Sequence, residues 1–292
     1  MNSRVVVSSI LLAFSALLSA CTNMPGSAGS APPKDTLSRI TQSQTVILGY
    51  REDSKPFSFK GADGNPDGYS VQLCKRVAAA LQSQLKLTKL DLKWVPVTVA
   101  TRMDAVKDGT VDLECGSTSR TLGREQQVDF SNATWVDGGS WVSLASAPVR
   151  RVTDLNGKRV GVIPGTTTET ALKALAARNI VPVFVPIKTH TDGIAAVRDG
   201  RADVYATDRL ILVGEALSGA GATLLLSDEY ISVETYGLML RRDADFRLAV
   251  NRALAGIYRS GEIVTLFRLT FGPNATPSPM LESAYVLNAL PE

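Results

Sequence analysis

The chain has 292 residues, 45% of them hydrophobic and 20% charged, with a formal net charge of +3. That length allows one large or two medium domains with real cores, and the composition excludes a largely disordered chain. Acids and bases are interspersed, so no basic face argues for nucleic acid and no charge run argues for a solvated tail.

Residues 1–20 set Arg4 ahead of the run VVVSSILLAFSALLSA. A single base, a short apolar run and a small-residue ending predict a signal peptide. The run is short of the roughly 20 apolar residues a membrane-spanning helix needs. Its ending, Leu18-Ser19-Ala20-Cys21, resembles the lipobox of bacterial lipoproteins. That resemblance implies cleavage before Cys21 and acylation of that residue; a plain secreted protein with an incidental cysteine is the alternative. Gly, Ser, Ala and Pro dominate TNMPGSAGSAPPKD (22–35), which predicts a flexible tether; lipidated Cys and tether together are assigned 21–42. With Cys21 used, Cys74 and Cys115 remain as a pair in an oxidising compartment. A disulfide would close a loop of about 42 residues, worth about 4 kcal/mol; two buried free thiols are the other reading.

From residue 45 strand-like and helix-like segments alternate. TVILGY (45–50) reads as a strand. GYSVQLCKRVAAALQSQL carries a helical stripe at Val71, Cys74, Val77, Ala78, Leu81 and Leu85. DLKWVPV (91–97) is a strand, ATRMDAVKDG a short helix stopped by Gly109, and VDLECG a strand. The pattern then recurs: strand KRVGVIPG, Thr-capped helix TTTETALKALAARN, strand VPVFVP, short helix TDGIAAVRDG, strand ADVYATD and helix RLILVGEALSG. Strand-like runs fill 222–240, and DADFRLAVNRALAGIYRSGEIVTLFRLTFG is helical. Two βα series predict two α/β lobes. An internal echo, A-V-x-D-G-x-x-D, links MDAVKDGTVDLECGST to IAAVRDGRADVYATD. Both copies deliver polar groups, Ser117 and Thr118 or Thr207 and Asp208, to the carboxyl end of a strand, where open α/β sheets bind ligands.

Enzyme chemistry finds little support. His190 is the single histidine, and G-x-S-x-G, H-E-x-x-H, C-x-x-C and Walker patterns are all missing. GSTSRTLGR instead offers hydroxyls at Ser117, Thr118, Ser119 and Thr121, with Arg124 one turn into a helix. GTTT (165–168) offers the same kind of helix start. N–H groups and the helix dipole favour an anion at such places, and arginine supplies a planar fork for carboxylate. Ordinary N-capping is the competing reading of either motif alone.

From about residue 44 to 272 the chain resembles the amino-acid-binding solute-binding proteins of ABC transporters (family 3), and within them the glutamate/aspartate-binding branch. The matching stretches are GYREDSKPFSF (49–59), DGYSVQLC (67–74), VTVATRMDAVKDGTVDLECGSTSRTLGREQQVDFS (97–131), PGTTTE (164–169), KTHTDG (188–193), ATDRL (206–210) and YGLMLRRD (236–243). The resemblance implies an α/β, two-lobed periplasmic-binding-protein (type II) fold, with a ligand cleft between lobes joined by two crossings near 139–146 and 232–240. Lobe 1 would be 43–139 with 238–292, and lobe 2 would be 140–237. It implies that Arg124, with Ser117 and Ser119, grips the ligand α-carboxylate, helped by Thr166 and Thr167 from the other lobe. Asp208 would take the α-ammonium, and Arg51, Arg102 and His190 the side-chain carboxylate.

Three arginines against Asp208 would suit glutamate and leave Arg51 and Arg102 facing nothing with a neutral ligand. The expectation is therefore a non-enzymatic, monomeric periplasmic lipoprotein. It would use no cofactor or metal and would pass an acidic amino acid to a membrane permease. The alternatives are a cyclohexadienyl-dehydratase-like lyase on the same fold, a binder of another polar amino acid, or a sensor acting through a partner. Two positions depart from the branch: Val99 stands where a serine often precedes the second arginine, and Arg120 replaces a small polar residue.

Overall fold

The computed structural model describes residues 35–216 and 223–292. The expected signal peptide, Cys21 and nearly all of the tether lie outside the described residues. The tether does not reach residue 42: Thr36–Ser43 form helix α1, capped by the Asp35 carboxylate on the Ser38 N–H. Ile40 is fully buried, Arg39 pairs with Asp112, and the Thr36 N–H donates to Asp243. One apolar residue aimed at the core and polar anchors on either side hold a segment that composition alone assigned to solvent.

The first lobe continues with β1 (Thr45–Tyr50), the short strands β2 (Asp53–Ser54), β3 (Ser58–Lys60) and β4 (Pro66–Asp67), helix α2 (Tyr69–Gln84), β5 (Asp91–Pro96), α3 (Arg102–Lys107), β6 (Leu113–Glu114), α4 (Leu122–Glu125) and β7 (Asp129–Asp137). The second lobe holds β8 (Gly139–Leu144), β9 (Arg159–Val162), α5 (Thr167–Ala174), β10 (Val183–Pro186), α6 (His190–Arg198), β11 (Val204–Asp208), α7 (Arg209–Ala216) and β12 (Leu224–Leu226). The chain then returns to the first lobe with β13 (Glu234–Leu240), α8 (Ala244–Arg259), α9 (Glu262–Phe271) and α10 (Pro279–Asn288).

Two five-stranded sheets result, ordered β5-β1-β6-β13-β7 and β10-β9-β11-β8-β12. Each has a parallel half, β5-β1-β6 and β10-β9-β11, extended by antiparallel strands. Sheets of this kind are covered on both faces. The stripe of α2 buries Cys74, Val77, Ala78 and Leu81 on one face of the first sheet, and Val106, Val111, Val128 and Met239 fill the other. In the second sheet neighbouring residues part to opposite faces, Trp141 and Val204 to one cluster, Val142 and Tyr205 to the other, as the two-residue period requires. Cys74 and Cys115 are disulfide-bonded, tying α2 to the chain just after β6.

The crossings are not where the sequence reading put them. Gly139–Leu144 and Glu234–Leu240 are hydrogen-bonded strands, and the chain changes sheet at Gly138 and again within 227–233. Residues 234–237 therefore join the first sheet, because β13 pairs with the nine-residue β7 from Glu234 opposite Asp137 onward. The single long helix expected after residue 243 breaks at Gly261, whose φ of +74° suits glycine, and α10 was not anticipated.

The sequence echo has a structural meaning. Gly109 and Gly200, with φ of +73° and +70°, end α3 and α6. Three residues later Asp112 accepts the Ile47 N–H of β1, and Asp203 accepts the Arg159 N–H of β9. In each lobe the repeated aspartate pins the neighbouring parallel strand, which fixes where the carboxyl ends of β1, β6, β9 and β11 finish.

Candidate ligand-binding site

Those strand ends, with the starts of α3, α5 and α6, enclose a narrow cavity of about 20 Å³ between the lobes, lined by Arg51, Arg102, Ser117, Ser119, Thr166, Thr167, His190 and Asp208 among others. Arg51 follows β1, Arg102 opens α3, Ser117 and Ser119 follow β6, Thr166 caps α5, His190 opens α6, and Asp208 ends β11. Of the nine ligand-site residues named from the sequence, Arg124 alone is not in the lining. It sits at the rim, where its Nη1 donates to the Ser119 carbonyl at 2.6 Å and its Nη2 to the Gly165 carbonyl of the other lobe at 3.3 Å.

The two inner arginines are not bare charges. Arg51 and Arg102 are 2% and 4% exposed. Arg51 Nη2 meets Asp53 at 2.7 Å. Arg102 Nη1 donates to the Thr118 hydroxyl at 2.7 Å, and that hydroxyl donates to Glu114 Oε2 at 2.8 Å. Burial pushes the Arg102 guanidinium down to about 9, against the pull of Glu114, so it stays charged at neutral pH. The charge balance drawn from the sequence is corrected here: Asp53 and Glu114 accompany the arginines. What remains open is hydrogen bonding, since Nε of Arg51 and Nε of Arg102 are both buried without an acceptor.

His190 is buried, and its Nδ1 lies 2.7 Å from the Tyr205 hydroxyl. Burial, with Arg51 beside it, lowers this imidazole to about 3, so it is neutral at physiological pH. Which of the imidazole and the Tyr205 hydroxyl donates depends on the tautomer, and the neutral ring can offer a ligand either one N–H or one lone pair at its second nitrogen. Asp208 accepts the Tyr236 hydroxyl on Oδ2 and the Thr168 hydroxyl on Oδ1, the latter at 3.4 Å. Burial, followed by Glu234 and Asp137, pushes the Asp208 carboxyl up to about 7. Across the cleft Ser119 and Thr167 hydroxyls meet at 3.3 Å.

Residues 46–273 match the profile of the bacterial extracellular solute-binding proteins, family 3. The chain belongs to that family. An L-glutamate/L-aspartate-binding protein of Pseudomonas aeruginosa is 34% identical over 88% of this chain and 88% of its own. A glutamate/aspartate import solute-binding protein of Escherichia coli is 30% identical over 96% and 91%. Among solved structures, a mutant of ArgBP from T. maritima superposes with a TM-score of 0.71 at 24% identity, over 80% of this chain and 98% of that one; it shares the two-lobed type II fold. The Escherichia relative is named as an import solute-binding protein, and the family, extracellular by its description, places the chain outside the cytoplasm.

Asp53, Glu114, Thr168 and Tyr236 received no role from the sequence, although all four lie inside the stretches that carry the resemblance. Context offered a signal for two of them: Asp53 starts β2 two residues after Arg51, and Glu114 ends β6 just before Cys115.

Proposed function

We propose that this solute-binding protein is the extracytoplasmic binding component of an ABC importer and captures glutamate or aspartate between its lobes. One observation carries the choice of ligand: two buried guanidinium N–H groups, on Arg51 and Arg102, have no acceptor. A buried donor left unmade costs about 1–3 kcal/mol. A carboxylate is an acceptor-only group with oxygens for both, whereas a carboxamide turns an NH2 toward one of them. In this reading Arg51, Arg102 and His190 take the side-chain carboxylate. Arg124, Ser117, Ser119, Thr166 and Thr167 take the α-carboxylate, and Asp208 takes the α-ammonium. Ligand binding favours the closed form, which a permease then accepts.

The names of the Pseudomonas and Escherichia relatives support the ligand class. The lipobox-like ending at Cys21 supports a protein tethered to a membrane by a lipid, which labelling with a fatty-acid analogue in wild type and Cys21→Ala would test. For the ligand, thermal unfolding in the presence of each common amino acid is the direct test. Glutamate and aspartate should raise Tm by several degrees at 100 Kd, the scale set by about 2.7 kcal/mol of linkage. A rise with neither would refute the reading.

A further inference from the structure

Asp53 touches both lobes. Its Oδ1 holds Arg51 Nη2 at 2.7 Å, and its Oδ2 accepts the His190 N–H at the start of α6 in the opposite lobe at 3.3 Å. The contact is part of a clasp. The Lys55 N–H donates to Glu215 of α7, which also accepts the Thr191 hydroxyl. Gly214 lies so close that a Cβ there would stand 2.7 Å from the Lys55 carbonyl. The Asp53–Lys55 turn is thus gripped between α6 and α7, away from the hinge. Burial works to raise the Asp53 carboxyl, but Arg51 and His190 outweigh it and hold it below the usual range, so it is ionised.

Building on the acidic-ligand reading, we propose that Asp53 is a specificity-setting residue. It is an internal carboxylate that competes with the ligand's side chain for Arg51 and, by capping α6, latches the lobes together. It occupies one edge of the guanidinium and leaves Nε for the ligand, so it moderates the grip on an acidic guest and keeps that guest releasable. A carboxylate at a helix N-terminus is favourable, and a negative charge beside a ligand's carboxylate opposes its binding in a poorly solvated pocket.

The charge effect and the latch separate in two variants of the full protein. Asp53→Asn keeps an oxygen for the His190 N–H but removes the charge; Asp53→Ala removes both. Calorimetry with glutamate and glutamine should show the glutamate-to-glutamine affinity ratio rising about fivefold in both variants, the size of a modestly screened charge interaction. Stopped-flow release of both ligands should be faster in Asp53→Ala than in Asp53→Asn. An unchanged or lowered ratio would overturn the competition, and equal release rates would overturn the latch. If wild type binds neither glutamate nor aspartate, the acidic-ligand reading itself fails. If wild type binds them and the variants do not differ from it, only the role of Asp53 fails.

Discussion

Tyr236, on a strand of the first sheet, donates its hydroxyl to Asp208, at the end of a strand of the second. The bond spans the hinge and ends on the carboxylate assigned to the ligand's ammonium. Because that carboxyl is raised to about 7, it is about half protonated at neutral pH before ligand arrives. A protonated Asp208 cannot accept a charged ammonium as an anion. Binding should therefore release a proton near pH 7, and affinity should fall as pH drops below 7, by up to about tenfold per unit. His190, neutral down to about 3, should add nothing in this range. Calorimetry in buffers of different ionisation enthalpy reads the proton directly. Tyr236→Phe removes a bond that favours the ionised form, so the midpoint should move upward.

Arg51→Ala and Arg102→Ala each remove one of the orphaned donors and expose a paired carboxylate, Asp53 or, through Thr118, Glu114. Each should weaken glutamate by about 2–3 kcal/mol, the scale of a charge-assisted hydrogen bond, and weaken glutamine much less. Thr118→Val breaks the Arg102–Glu114 relay and should lower glutamate affinity with Arg102 still present. Equal losses for both ligands would contradict the side-chain assignment.

Arg124 touches both lobes through carbonyls at Ser119 and Gly165. Its place at the α-carboxylate end predicts that Arg124→Ala abolishes binding of every amino acid, whatever its side chain. Binding of a single class that survives would place the α-carboxylate elsewhere.

Cys115 immediately precedes the loop that carries Ser117 and Ser119, and its bond to Cys74 anchors that loop to α2. Replacing both cysteines by alanine should cost about 2–4 kcal/mol and lower Tm, measured by thermal unfolding, in the absence as well as the presence of ligand. An unchanged Tm would deny the bond a stabilising role.

The fold was legible where period and punctuation were strong. The α2 stripe and the Asp-Gly stops of α3 and α6 needed only local rules. The placement of α1 was not legible, because its one deeply buried apolar residue, Ile40, follows a Gly/Ser/Pro-rich stretch. Nor was β7, whose pairing with β13 joins residues about a hundred positions apart. Eight of the twelve cavity-lining residues were readable from strand ends and from resemblance. Their partners were not: whether Asp53 meets Arg51, or Glu114 reaches Arg102 through Thr118, depends on side-chain geometry that spacing does not encode.

The central claim is that two orphaned arginine donors select a carboxylate over its amide. Calorimetric titration of the wild-type protein from residue 22 onward, freed of endogenous ligand, with glutamate and then glutamine tests it most directly. The account predicts one-to-one binding with glutamate at least about a hundredfold tighter, the loss of roughly 3 kcal/mol expected when buried donors stay unpaired. Glutamine binding as tightly as glutamate, or more tightly, would contradict it.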